Sequence, residues 1–219
     1  MDDAGILRCL PLCALGWLEH GFESRHSSGI PTGFGVARLK QIHSAIVIRP
    51  TGTEADCGEG DALIADQPGR LLVVRTADCV PILLVDPTRK AVAAVHAGWR
   101  GVVAGVLPHA LSAMRDHCGT NPGDLLAALG PCIRHDAFEV GPEVAMQFQD
   151  LFPERSNLNQ RTHVDLAEAC QRQLAATGVP AAQVFDCGCC SFADGLRWHS
   201  YRRDRESSGR MQAFIGVRP

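Results

Sequence analysis

No stretch of the chain approaches the ~20 consecutive apolar residues needed to cross a bilayer. The apolar run from Leu10 to Leu18 is short and contains Pro11. The opening Met1-Asp2-Asp3 has the wrong charge for a secretory leader, so the expectation is a cytoplasmic protein with no membrane partner. Neither sign of charge is in large excess: the formal net charge is -3 and the pI is near 6.3. Such a balance gives no broad attraction to phosphate backbones, so nucleic acid is not the expected partner, while a local basic site stays open. Low-complexity tracts, internal repeats and a Pro/Gly/Ser linker between halves are all missing, and residues 1–219 read as one domain. No Gly-rich phosphate signature occurs at a strand-to-helix turn. The ten cysteines among 219 residues fall below the ~8–10% of a disulfide scaffold and read as mostly free thiols. Cys9, Cys13, Cys118 and Cys170 fit as small buried hydrophobes.

Hydrophobic residues make up 46% of the chain and charged residues 21%, enough for a sizeable core. Three apolar runs of strand length crowd the centre: Leu71 to Val74, Pro81 to Val85 and Ala91 to Val95. Asp86-Pro87 separates the second from the third and predicts an antiparallel hairpin. Further strands are expected over Ala45–Arg49, Leu125–Leu129, Val184–Asp186 and Phe214–Val217. Ser24–Gly35 reads as a loop and Thr51–Gly60 as a surface turn. Helices are expected over Trp99–His117, with a kink or a late start at Pro108, over Pro142–Phe152, and over Asp165–Thr177. Asp165 or Thr162 caps the last of these.

Two segments carry chemistry. Thr76-Ala77-Asp78-Cys79 joins two buried runs, and His96-Ala97-Gly98-Trp99-Arg100-Gly101 leaves a strand and enters a helix. If the hairpin forms, Cys79 and His96 emerge at one sheet edge, and His43, ahead of the 45–49 strand, can reach it. Two histidines and a cysteine suit Zn²⁺ and leave its fourth position open. Taken singly, His43 reads as a structural histidine and Cys79 as core, and Cys79 with His96 also fits a nucleophile–base pair. The Cys187-Gly188-Cys189-Cys190 cluster lacks a second pair at zinc-ribbon spacing and reads as a turn with one or two functional thiols.

These residues resemble the YfiH/laccase-domain family. The likeness lies in His20-Gly21-Phe22-Glu23-Ser24-Arg25, Gln41-Ile42-His43, Thr76 to Pro81, His96 to Gly101, Gly130-Pro131-Cys132-Ile133, Val164-Asp165-Leu166 and Ser200-Tyr201-Arg202-Arg203-Asp204 with Gly209-Arg210-Met211. It therefore runs along nearly the whole chain. The resemblance implies an α+β fold, with mixed β-sheets in a sandwich flanked by helices, distantly like the catalytic domain of cytotoxic necrotizing factor. It implies a zinc held by His43, Cys79 and His96. It also implies phosphorolysis of adenosine, inosine and methylthioadenosine, together with adenosine deamination, so nucleoside and phosphate are the expected partners. Arg25, Arg100 and Arg203 are then candidates to hold phosphate, and Asp78 to orient the metal site or act as general acid–base. The sequence departs from the family between Arg25 and Gln41. Only fifteen residues intervene, with Val36-Ala37-Arg38-Leu39 where a Ser-Leu-Asn-Leu element would stand.

Older family names speak of a polyphenol oxidase or multicopper laccase. Such an enzyme needs paired His-x-His segments for its further coppers, and the nine histidines here include none. The His-x-Glu…Pro-Cys-x-x-Cys deaminase signature is also missing, so any deamination uses another architecture. Two other classes stay open: a metal-free cysteine hydrolase using Cys79 and His96, and a binding or redox factor without turnover.

Overall fold

The computed structural model describes residues 1–53 and 55–219. Along the chain come β1 (Ile6–Leu7), α1 (Leu10–Cys13), β2 (Leu18–Glu23), β3 (Gly35–Lys40), β4 (Val47–Ile48), β5 (Asp56–Glu59), β6 (Ala62–Ala65), β7 (Arg70–Thr76), β8 (Val80–Asp86) and β9 (Ala91–Ala97). Then follow α2 (Trp99–Val103), α3 (Val106–Cys118), β10 (Leu126–Leu129), β11 (Glu139–Val140), α4 (Pro142–Ala145), β12 (Thr162–His163), α5 (Leu166–Ala176), β13 (Val184–Asp186), α6 (Tyr201–Asp204) and β14 (Met211–Val217).

Two mixed six-stranded sheets form a sandwich, one in the order β1-β2-β14-β7-β3-β5 and the other β13-β10-β8-β9-β6-β4. Strand alternation sorts the side chains. Leu72 and Val74 of β7, Leu83 and Val85 of β8, and Val92 and Ala94 of β9 meet between the sheets. Val80, Ile82 and Leu84 face the other way, against α2, α3 and α5. All seven residues of β8 and of β9 are buried, which is why both read as unbroken apolar runs. The longer helices α3 and α5 pack on the side of this second sheet, while short α1 touches β2 of the first. Ile6, Ile30, Phe34 and Val36 close the outer face of the first, packing on Leu71, Val73 and Phe214.

The expected β8–β9 hairpin is present, antiparallel, with Pro81 opposite His96. Several expectations need correction. The single helix over 99–117 is two, broken where Gly105 takes a φ of 78°. Pro108 is the third residue of α3, in the turn whose N–H groups have no intrahelical partner, so it marks a late start. The helix over 142–152 shrinks to α4 followed by a 3-10 turn over Met146–Phe148. The strand over 45–49 keeps only Val47–Ile48. The turn over 51–60 contains β5, and its Glu54 lies outside the described residues. Of the four cysteines read as buried hydrophobes, Cys170 is buried and Cys13 is exposed. Asp165 caps α5, accepting the Glu168 N–H. Among the described residues, no helix is long and apolar enough to cross a membrane.

Candidate metal centre and its cavity

The β8–β9 hairpin fixes two of the three candidate donors. Cys79 immediately precedes β8, and His96 lies one residue before the end of β9, so both stand at the hairpin's open edge. The third comes from the loop after β3. There Gln41 clamps the β7 backbone, its amide exchanging two 2.8 Å hydrogen bonds with the N–H and carbonyl of Arg75. His43 follows, with φ at 59°. One donor atom from each of His43, Cys79 and His96 lies within 4.8 Å of the others.

Asp61, which the sequence reading passed over, organises the group. It precedes β6, which pairs with β9, and its carbonyl accepts the His96 N–H at 2.8 Å. Its fully buried carboxylate accepts from His96 Nδ1 at 2.8 Å, from the His43 N–H at 3.0 Å and from Ser44 Oγ at 2.7 Å. One side chain therefore sets the His96 tautomer, leaving Nε2 as donor, and pins the loop that carries His43. The available signal was an acidic residue heading the apolar run Ala62-Leu63-Ile64-Ala65, because a carboxylate buried there must find donors.

Electrostatics follow the packing. Burial alone would raise the Asp61 carboxyl, but hydrogen bonds from His96 and Ser44 outweigh it and hold it at about 2. Burial opposes charge on His96, yet the Cys79 sulfur and Asp61 bring it up to about 9. Burial likewise raises the Cys79 thiol, and the charge of His96 with hydrogen bonds from His43 and His96 brings it down to about 6. Without an ion, Cys79 and His96 form a thiolate–imidazolium pair braced by Asp61, and a cation taking the thiolate would displace the proton on His96 Nε2. Gly98 allows the close approach: a Cβ there would sit 2.9 Å from both Cys79 Sγ and His43 Cδ2.

The donors open into a cavity of about 730 Å³. Six cations line it: Lys40, Arg75, Arg100, Arg202, Arg205 and Arg210. Trp99, Phe138 and Tyr201 supply aromatic wall. Arg100 lies 4.3 Å over the Trp99 ring and Arg210 5.5 Å over Tyr201. Arg75, Arg100 and Arg205 have no carboxylate partner among the described residues, and their charge faces an incoming ligand uncompensated.

Of the three arginines proposed from sequence to hold phosphate, only Arg100 lines this cavity. Arg25 donates to the Gly195 carbonyl. Arg203 donates to the carbonyls of Ser191, Phe192 and Trp198 and pairs with Asp204, so its fork is spent on the loop before α6. Asp78 does line the cavity, with φ at 88°. Its two oxygens are taken by Ser191 Oγ at 2.7 Å and the Arg202 N–H at 2.6 Å. That geometry makes it a tie between the Cys79 turn and the start of α6 instead of a free acid–base group. Arg75 is far in sequence from Arg205 and Arg210, and the three converge only when β7 and β14 pair.

A β-sandwich with two histidines and one cysteine converging at a sheet edge defines, among the described residues, a protein with one open-faced group of candidate metal donors. The chain belongs to the YfiH/laccase-domain family: the family model described as "Multi-copper polyphenol oxidoreductase laccase" matches residues 24–218. It is 37% identical over 181 residues to purine nucleoside phosphorylase YfiH of Escherichia coli (strain K12), covering 81% of this chain and 72% of that protein. It is 38% identical over 168 residues to adenosine deaminase RL5 from an unknown prokaryotic organism, covering 72% and 61%. Its fold is similar to that of YlmD from Geobacillus stearothermophilus, with a TM-score of 0.89 at 27% identity over 100% of this chain and 98% of that one.

Proposed function

We propose that this chain is a zinc-dependent purine nucleoside phosphorylase acting on adenosine, inosine and methylthioadenosine, and that it also deaminates adenosine, with residues 1–219 acting as one domain. One observation carries this reading: a two-histidine, one-cysteine donor set opens directly into a cavity walled by cations and aromatic rings. The names of the relatives support it.

His43, Cys79 and His96 would hold the ion. Their mixed nitrogen–thiolate chemistry fits zinc, and three donors leave one position free. When bound, zinc supplies Lewis acidity at the cavity wall. The remaining work falls to the chain's own groups. Trp99, Phe138 and Tyr201 offer ring faces and edges to a purine. Arg75, Arg100, Arg205 and Arg210 present forks that match phosphate oxygens and hold a phosphate against the sugar, so that its oxygen meets the anomeric carbon as the base departs. Asp61 keeps the donors in register, and Asp78 keeps Arg202 and α6 at the rim.

The direct test is purified protein with inosine and inorganic phosphate. Hypoxanthine and a pentose phosphate should be released, and adenosine alone should yield inosine. Metal analysis should find about one zinc per chain, lost in Cys79→Ala. No release from either nucleoside, with the ion confirmed present, would overturn the proposal.

A second reading has one observation in its favour. Cys79, His96 and Asp61 run nucleophile, base and orienting carboxylate, the order a cysteine hydrolase uses. The convergence of His43 on the same point is what such a triad does not need and a metal does. A chelator separates the two, since it abolishes turnover by the zinc enzyme and spares the hydrolase. A copper oxidase would require further donor groups, and His43, Cys79 and His96 are the one such group among the described residues.

A further inference from the structure

The metal centre uses one cysteine, and the Cys187-Gly188-Cys189-Cys190 cluster stands apart from it. The backbone folds this segment tightly. Cys187 continues the edge of β13, donating its N–H to the Leu129 carbonyl at 3.1 Å. Asp186 then fixes a turn. Its Oδ1 accepts the Gly188 N–H at 2.9 Å, while its Oδ2 accepts from Arg134 at 2.8 Å and Gln171 at 3.1 Å. Gly188, at a φ of 68°, reverses the chain.

Cys189 consequently returns onto Cys187. Its N–H points at Cys187 Sγ at 3.4 Å, and its own Sγ lies 3.6 Å from the Cys187 carbonyl. The two thiols also share a hydrogen bond. Both are half-buried and within reach of a small reagent. Cys190 follows, its backbone bridging in parallel to that of buried Cys132.

We propose that Cys187 and Cys189 are a redox-active dithiol that closes to an intramolecular disulfide on meeting a low-molecular-weight disulfide. The two thiols differ in the way such a pair requires. The hydrogen bond from Cys187 holds the Cys189 thiol below its ordinary range against its burial, and the guanidiniums of Arg197 and Arg134 act in the same sense. That same hydrogen bond, with burial, pushes Cys187 up. Cys189, the thiol beside the Arg197 and Arg134 guanidiniums, is the attacking sulfur, and Cys187, set back against β10, is the resolving one. The Cys189 thiolate attacks one sulfur of the small disulfide, breaking its S–S bond, expelling one small thiolate and leaving a mixed disulfide. Cys187 loses its proton and attacks Cys189 Sγ, expelling the second small thiolate. Two protein thiols are oxidised by two electrons, and one small disulfide is reduced to two thiols.

The test is incubation of the reduced full-length protein with oxidised glutathione, followed by peptide mass mapping. The wild-type peptide carrying residues 187–190 should be lighter by two hydrogens, with no glutathione attached and the bond located between Cys187 and Cys189. Cys187→Ser should trap a lasting glutathione adduct on Cys189. Cys189→Ser should leave Cys187 unmodified. Wild-type protein whose Cys187 and Cys189 stay free while exposed Cys13 is modified would overturn the proposal. A disulfide from Cys189 to Cys190 or Cys132 would do the same. The wild-type arm needs no variant to fold, and none of the readouts depends on nucleoside turnover.

Discussion

Two buried residues carry the most testable consequences at the scale of single side chains. Asp61 is acceptor-only, and every group around it donates: His96 Nδ1, the His43 N–H and Ser44 Oγ. An amide in its place keeps one acceptor and turns two hydrogens toward donors. Asp61→Asn should therefore weaken metal binding by about 10–100-fold and cost about 1–3 kcal/mol of stability. Chelator competition reads the first effect and denaturant unfolding the second; wild-type metal affinity in the variant would show that Asp61 is incidental. His20 makes the opposite case, a buried histidine kept neutral. Burial, with Arg8 nearby, brings it down from 6.5 to about 4. Between those values the unfolded chain binds a proton that the folded one refuses. Stability is thus unaffected above pH 6.5, falls as pH drops toward 4 and levels off below. The loss is about 3 kcal/mol when complete. His20→Gln should flatten that part of the curve in urea titrations taken across this range. At this scale, the sequence exposed the donors themselves, since His96 and Cys79 sit at the ends of evident strands. It hid Asp61, whose role exists only because β6 pairs with β9. It also did not show that Arg25 donates to the Gly195 carbonyl and that Arg203 is bonded to the loop before it and to Asp204.

At the scale of elements, legibility tracks the environment of each strand. β8 and β9 announced themselves because both faces are buried and their apolar residues run unbroken up to Val85 and Val95. β2 did not, although all six of its residues are buried. It carries Glu19, His20 and Glu23, and these are tolerated because Arg218 pairs with Glu19 at 2.8 Å and Gln212 donates to Glu23 at 3.0 Å. Partners some 190 residues away cannot be read from a local pattern. The same limit made α2 and α3 look like one helix, since their apolar faces are nearly continuous and Gly105 alone marks the break. The join between β9 and α2 is the element-scale feature most exposed to test. Gly98 passes so close to Cys79 and His43 that a methyl group has no room. Gly98→Ala should fold, at a cost of about 1–3 kcal/mol, and should lose the ion, because Cys79 or His43 must shift to admit the new carbon. Metal content of the purified variant checks this, and a full complement of zinc would mean the turn relaxes instead.

For the whole molecule, the separation of core from site sets what metal removal does. The apolar clusters lie between the sheets and under α3 and α5, whereas the donors occupy one rim. Stripped protein should still unfold cooperatively, unlike small domains that collapse without zinc, because the core lies apart from the donors and the His96 charge is paired with Cys79 and Asp61 in the ion's absence. Charge distribution gives the second consequence at this scale. The chain as a whole is at -3, yet six cations gather around one cavity that also holds Asp78 and Glu206. Phosphate should therefore be drawn to that cavity by a local field, and salt should weaken it. The screening length shrinks to about 10 Å at 0.1 M. Raising ionic strength should increase the KM for phosphate several-fold while leaving that for inosine, a neutral molecule held by apolar and hydrogen-bonding contacts, nearly unchanged. Arg205→Glu should reproduce the salt effect at low ionic strength. It should also blunt any further response to salt, because Arg205 has no carboxylate partner to release and its reversal removes field directly. Parallel rises in both KM values with salt would point instead to a general loosening of the cavity, with the arginines acting as wall and not as the source of phosphate affinity.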